Sequence, residues 1–352
     1  MTEGAERFLA ATRRQATDAT PVWFMRQAGR SLPQYRALRE RFGFLELATN
    51  PELSVDVTCL PVELLGVDAA VVFADIMLPL QGMAVDFEIR ESVGPVIARP
   101  IRSERQVSEL RVVAAEEATP YLFPAIRATR ARLGRKAAVV GFGAAPFTLA
   151  CYLVEGQGSR DYPHVRSLIR SEPGLWDRLM TTLTEVLARY LIAQAQAGAD
   201  VVQLFDSWIG ALDQATFVRH VAPHLQTLIG RLRPMLPVIY FSTSSSHLLR
   251  AVAGTQPDGI SVDWRVPLRQ AWEVVGRERF IQGNLDPALV LAPWPVLEVS
   301  AHEVLKEAEH RPGHIFNLGH GVLPDSDPDQ LRRLVELVHE WGPTVEAEED
   351  SR

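Results

Sequence analysis

Residues Leu175 to Ser207 read LWDRLMTTLTEVLARYLIAQAQAGADVVQLFDS. Leu175, Leu179, Leu183, Val186, Leu187, Tyr190 and Leu191 fall at helical spacing, so one face of a long helix is apolar. Gly198 ends that helix, and Asp200–Phe205 is then apolar almost throughout instead of alternating. A strand with no polar face is buried on both sides, as in a parallel sheet covered by helices. A helix feeding such a strand is one unit of a βα repeat.

The same kind of run recurs on either side of this unit. Ala69–Phe73, Ala137–Phe142, Val238–Phe241, Gly259–Val262, Arg279–Gln282 and His314–Leu318 all read as buried strands. Between them lie helix signals. Asn50 before Pro51 and Glu52 is an N-cap followed by proline at the first helical position, and Gln214 to Leu232 reads as a further helical stretch. Seven strands with helical crossovers fit an open doubly wound sheet or a closed (β/α)8 barrel. No Gly-x-Gly-x-x-Gly follows any strand; Gly141 and Gly143 lead into AAPFTLA. Asp75, Ser207, Asp263, Asn284 and His320 instead follow several different strands, as a barrel's C-terminal mouth requires. The expected fold is therefore an α/β barrel. Its missing strand is expected between Asp75 and Ala137, near Val96–Arg99.

The 352 residues include 36 Lys plus Arg, 43 Asp plus Glu and 47% hydrophobic residues, a net charge of −7. Such a chain can bury enough apolar surface to fold, and its acidity argues against nucleic acid as a partner. No stretch approaches the roughly 20 apolar residues of a membrane span, and the N-terminus lacks a signal-peptide core. The two cysteines, Cys59 and Cys151, fit a reducing, cytoplasmic compartment. No linker divides the chain. It reads as a single domain over residues 1–352, with a barrel from about 20 to 342, a short frayed N-terminus and an acidic C-terminal tail, TVEAEEDSR. Only Lys136 and Lys306 are lysines, so nearly every basic residue is an arginine.

A few positions carry chemistry. Arg26 and Arg30 flank Gln27-Ala28-Gly29 near the N-terminus, apart from the strand–helix repeats. Arginines at that spacing suit an anion pocket, since each matches a carboxylate bidentately, or they belong to an ordinary surface loop. Asp75 follows a strand and precedes Ile76, Met77 and Leu78. A carboxylate there either caps the next segment or meets a cation or N–H donors of a ligand. Tyr152 reads as a core tyrosine and Ser207 as a helix N-cap. His320, between Gly319 and Gly321, is a loop histidine, a ligand binder or a proton carrier. His220 and His224 have the spacing of a zinc pair, but no Glu follows His220, and Pro223 intervenes; they read as a solvated helix face.

Read together, PVWFMRQAGRSLPQYR, FLELATNPELSVDVTCLPVELLGVDAAVVFADIMLPLQGM, GFGAAPFTLACYLVEGQGS, QLFDSWIGAL, GISVDW, QGNLDP and FNLGHGVLPDSDP closely resemble the uroporphyrinogen decarboxylase family, in family order from about Thr20 to Trp341. The resemblance implies a distorted (β/α)8 TIM barrel, a homodimer, and neither metal nor organic cofactor. It implies removal of the four acetate carboxyls of uroporphyrinogen III, giving coproporphyrinogen III in haem biosynthesis. Arg26, Gln27, Ala28, Gly29 and Arg30 match the family's substrate-binding stretch, and Asp75 matches its essential carboxylate. Tyr152, Ser207 and His320 match further substrate-binding positions. Asp75, Arg30 and Tyr152 are the expected catalytic set, with Arg30 chiefly a carboxylate binder and an alternative proton donor. The competing enzyme reading is a corrinoid-type methyltransferase of the same superfamily, which would need a thiolate zinc site. A binding protein for porphyrinogens without catalysis is the other. The chain departs from the family at Tyr240–His247, where a glycine-rich turn is common, and at Ala84, where many relatives have glycine.

Overall fold

A computed structural model describes residues 2–90 and 93–345, so the acidic tail beyond Val345 lies outside the described residues. The strands are β1 (Ala69–Val71), β2 (Phe87–Arg90), β3 (Gly94–Ile97), β4 (Ala138–Ala144), β5 (Val201–Asp206), β6 (Val238–Ser242), β7 (Gly259–Ser261), β8 (Phe280–Gln282) and β9 (His314–Ile315). Seven of them form one parallel sheet in the order β1-β4-β5-β6-β7-β8-β9. Sequence order and spatial order thus coincide around the sheet, as in a (β/α)8 barrel.

The strand period of two explains why the runs carry no polar face. In β5, Val201 joins the interior cluster with Val140, Ile239 and Ile315. The intervening Val202 and Leu204 join Val139 and Val238 under the outer helices. The helix before β5 runs Pro173–Ala197 and ends at Gly198 in left-handed backbone. Asn50 caps the helix Pro51–Leu65, its side chain accepting from the N–H groups of Glu52 and Leu53. The stretch expected as one helix from Gln214 to Leu232 is two, Gln214–His220 and Ala222–Leu232. Pro223 sits in the first turn of the second, where its missing N–H costs nothing.

The eighth stave is not where the sequence suggested. Val96 and Ile97 belong to β3, which pairs antiparallel with β2 in a hairpin apart from the barrel sheet. The gap between β9 and β1 is closed by Pro21–Trp23. Val22 bridges Phe316 in parallel; the Phe316 N–H donates to Pro21 O at 2.8 Å, and the Asp68 N–H donates to Val22 O at 2.8 Å. Three residues beginning with a proline give no apolar run long enough to read as a strand. The consequence is large: the Arg26 loop lies at the end of the first stave, not outside the repeats.

A side-chain network inside the barrel holds this stave. Trp23 Nε1 donates to Gln282 Oε1 at 2.9 Å, and Gln282 Nε2 donates to Gln203 Oε1 and Ser261 Oγ, each at 2.9 Å. At the seam itself sits Asp68, 2% exposed. One carboxylate oxygen accepts from the Val22 N–H at 2.8 Å and lies 2.8 Å from His339 Nε2. The other accepts from Arg7 Nη1 at 2.6 Å. Arg7 also binds Asp18. The N-terminus, expected to fray, is therefore a packed helix, Gly4–Thr12, with Phe8 fully buried.

Removing a buried charge's partner costs more than the pair itself contributes, because the remaining charge stays desolvated. Asp68→Asn is expected to lower unfolding free energy by about 3–5 kcal/mol in urea titrations. An unchanged midpoint would remove Asp68 from this role.

Candidate active site

The loop after the first stave is built by its own glutamine. The Phe24 N–H donates to Gln27 Oε1 at 2.9 Å, Gln27 Nε2 donates to Ala69 O at 2.8 Å, and the Gln27 N–H donates to Phe24 O at 3.1 Å. The Met25 N–H donates to Asn317 Oδ1 at 3.1 Å, and the Val322 N–H donates to Met25 O at 2.8 Å. Gln27 is fully buried, so its side chain holds the loop and does not face the cleft. Ala28 is buried as well, and Gly29 packs against the Arg26 carbonyl. These bonds over-determine the turn and hold Arg26 at φ +59°, a left-handed conformation costing about 1–3 kcal/mol in a residue with a Cβ.

That turn presents Arg26, and Arg36 presents Arg30: Arg36 Nη1 donates to the carbonyls of Arg30 and Ser31 at 2.8 and 3.0 Å. Both Arg26 and Arg30 are exposed. Among the described residues neither guanidinium makes an ion pair or a hydrogen bond, leaving two complete donor forks for a ligand.

Asp75 follows β1. Its Oδ1 accepts the Met77 N–H at 2.8 Å, and its carbonyl accepts the Leu78 N–H at 3.2 Å, closing the turn that leads into the 3-10 segment Leu78–Met83, whose own N-cap is Met77. Its Oδ2 accepts from no described side chain or backbone group. Burial raises the Asp75 pKa, opposed by the Met77 N–H and by Arg26. Tyr152, on the helix Pro146–Glu155, packs edge-on against Trp208 at 6.1 Å. Burial and then the Asp75 charge push its phenol up to about 12. His320 is pushed down to about 4 by burial first, then by Arg26 and Arg265, against Asp263. Arg26, Asp75, Tyr152 and His320 thus share one electrostatic neighbourhood. In the field of the protein's own charges, the phenol and the imidazole are both neutral at neutral pH.

Two glycines give His320 its place. A Cβ on Gly321 would run into the Arg26 side chain, and one on Gly319 into the backbone of Trp264. The close approach packs the His320 ring against Phe241 at 6.1 Å and Trp264 at 6.4 Å. Beneath it, Phe142, Phe205 and Phe241 meet edge-to-face on three adjacent strands. Phe205 and Val71 point into the barrel yet are only half-buried, so the mouth is open over an apolar floor. Ser207 is half-buried beside Trp208. It caps no helix, since the following turn, Ile209–Ala211, begins after Trp208. The neighbouring Asp206 is fully buried and accepts from Thr148 Oγ1 at 2.8 Å and Tyr240 O–H at 2.7 Å.

Sequence reasoning left Asp263 and Asn284 without roles. Asp263 Oδ2 accepts the Ser244 N–H at 2.6 Å and Arg265 Nη1 at 2.6 Å, and Asn284 Nδ2 donates to the carbonyls of Asp263 and Val266 at 2.9 and 2.7 Å. Their signal was position alone, polar residues at strand ends. The two departures from the family pattern both fall in left-handed backbone, Ala84 at φ +60° and Ser244 at φ +55°, where glycine carries no Cβ penalty. Among the described residues no three His, Cys, Asp or Glu side chains converge as a metal-holding group. His224 faces Asp177 at 3.3 Å instead.

The model of the family described as "Uroporphyrinogen decarboxylase (URO-D)" matches residues 3–341. The chain belongs to that family. A protein of Roseiflexus sp. (strain RS-1) named uroporphyrinogen decarboxylase is 47% identical over 342 residues, 96% of this chain and 98% of its own. One of that name from Thermus thermophilus is 47% identical over 333 residues, 94% of this chain and 97% of its own. Among solved structures, a methyltransferase from Methanosarcina mazei superposes with a TM-score of 0.78 at 19% identity, covering 97% of this chain and 99% of its own. At that identity the likeness speaks to the barrel fold alone. No helix of the described residues is long and apolar enough to cross a membrane.

The electrostatic coupling is directly measurable. In NMR titrations His320 is expected to protonate near pH 4. In Arg26→Gln its midpoint should rise, since one positive neighbour is gone, yet stay below the ordinary value of 6.5 because burial is the larger cause. An unmoved midpoint would place Arg26 away from His320.

Proposed function

We propose that this cleft removes the four acetate carboxyls of uroporphyrinogen III as carbon dioxide and leaves methyl groups, yielding coproporphyrinogen III. The observation that carries the reading is a recessed carboxylate, Asp75, within the field of Arg26 at an apolar mouth, with the Arg26 and Arg30 guanidinia unpaired among the described residues. Family membership supplies the substrate class.

The chemistry asks three things of the protein. A pyrrole acetate releases carbon dioxide when the electron pair of the breaking C–C bond has somewhere to go. Protonation of the pyrrole provides that sink: the pair flows into the cationic ring, leaving an exocyclic methylene. A proton then adds to that carbon and the ring gives its extra proton back. Each turnover therefore consumes one proton and releases one carbon dioxide. Arg26 and Arg30 hold substrate carboxylates. The free Oδ2 of Asp75 accepts pyrrole N–H groups and faces the positive ring, an electrostatic contribution that a desolvated site makes large. Tyr152 keeps its proton at neutral pH and serves as a hydrogen-bond donor. His320, neutral, contributes one N–H and one lone pair. The phenylalanine floor suits the apolar faces of a tetrapyrrole. The reacting electrons move within the substrate, so the reading calls for no cofactor. It also carries a homodimer in the cytoplasm; light scattering tests the dimer.

Anaerobic incubation with uroporphyrinogen III, followed by chromatography of the oxidised products, tests the reading. Hepta- to pentacarboxylate intermediates and then coproporphyrin are expected; unchanged substrate would sink it. Asp75→Asn is expected to cut kcat roughly 100- to 1000-fold, the size of effect seen when one preorganised electrostatic group is lost, with unfolding unaltered. The pH dependence has a definite sign. Asp75 must be ionised, and its pKa lies above the ordinary 3.8, so kcat/KM should fall on the acid side above that value. Arg26→Gln removes a charge that favours the carboxylate, so the weakened activity should fall off at a still higher pH. Gly321→Ala, which forces the Arg26 side chain aside, should raise KM about tenfold in steady-state assays with little loss of stability.

A further inference from the structure

Outside the residues already placed, one cation at the mouth is held with more care than a surface arginine needs. Arg265 lies in the loop after β7. Its Nη1 donates to Asp263 Oδ2 at 2.6 Å and to Thr243 Oγ1 at 3.3 Å, and its guanidinium lies 3.9 Å from the centre of the Trp264 ring. The backbone beneath is fixed too. The Arg265 N–H donates to Asp263 Oδ1 at 3.1 Å, and Asn284 Nδ2 grips the carbonyls on either side, of Asp263 and Val266. Yet the side chain remains 45% exposed. Among the described residues its Nε and Nη2 donate to no protein group.

We propose that Arg265 is a further substrate-binding residue of this cleft, taking a peripheral carboxylate of the tetrapyrrole beside His320. Trp264, on whose face Arg265 lies, meets the His320 ring at 89°, and Gly319 packs directly on the Trp264 backbone. The loop carrying Arg265 and the loop carrying His320 are thus one packed unit. The Arg265 charge reaches His320, as does that of Arg26. Arginines from the first stave and from the loop after β7 therefore act on the same histidine. Asp263 uses one edge of the guanidinium, and the remaining N–H groups keep the geometry for an oxyanion. Stacking and ion pairing pre-pay the rotamer entropy that a free arginine would lose on binding. A substrate with eight carboxylates, four acetates and four propionates, presents more carboxylates than Arg26 and Arg30 can pair bidentately.

The inference rests on the decarboxylase reading and is tested separately from it. Arg265→Gln and Arg265→Lys are compared with the parent protein in steady-state decarboxylation of uroporphyrinogen III, with coproporphyrinogen III as product inhibitor. In Arg265→Gln, KM should rise about tenfold, the cost of one charge-assisted contact. The change in kcat should be much smaller, and kcat/KM should depend less on salt. Arg265→Lys should recover part of the loss. Product inhibition weakened alongside KM identifies the bound group as a propionate, which the product retains; inhibition unchanged identifies an acetate. A KM within twofold of the parent overturns the proposal. So does a loss of melting temperature and kcat that is equal in both variants, the mark of a merely structural Asp263–Arg265 pair. A parent protein that releases no carbon dioxide sinks the decarboxylase reading itself, whatever the variants do.

Discussion

The buried carboxylate of Asp68 closes the molecule. A barrel whose first stave is three residues long cannot hold that stave by ladder hydrogen bonds alone, particularly when Pro21 offers no N–H. Asp68 compensates by accepting from the Val22 N–H, from Arg7 of the N-terminal helix and alongside His339 of the C-terminal helix Pro328–Glu340. Residues 7, 22, 68 and 339 are brought to one point, so both ends of the chain are committed to the seam. The reactive cleft depends on this, because the first stave leads directly into the loop that carries Arg26 and Arg30.

From that seam the mouth is organised by buried amides more than by charges. Gln27, Asn317 and Asn284 spend their side chains on backbone groups of the mouth loops. Each buried hydrogen bond contributes modestly, but leaving one unmade is expensive. This shell sustains the left-handed backbone at Arg26 and the close packing of Gly319 and Gly321. Strain at the arginine is thus supported by the hydrogen bonds of buried neighbours.

The electrostatics resolve a conflict in the composition. A chain with a net charge of −7 is an unpromising host for a substrate with eight carboxylates. Screening confines such fields to a distance of about 10 Å, so only local charge matters. At the mouth the local balance is reversed. Among the described residues Arg26 and Arg30 are without acidic partners, Arg265 is only partly neutralised by Asp263, and Asp75 lies within the field of Arg26. His320 is held neutral by that same positive field and by burial.

The class of fold and most of the mouth were legible in the order of residues alone. Fully apolar runs marked seven barrel strands because strands buried on both faces have no polar side to show. Asp75, Ser207 and His320 stood out because a barrel collects chemistry where strands end, and the family motifs named the reaction. Folding in three dimensions settled what depends on contacts between distant segments. It made Pro21–Trp23 a stave, which no three-residue run can announce, and turned the N-terminus from a loose end into the helix that meets Asp68. It also tied the Gln27 side chain to the backbone of its own loop and to Ala69, and brought the Arg265 charge to bear on His320. Local pattern records which residues must be buried or exposed. Which buried group meets which is settled only when the barrel closes.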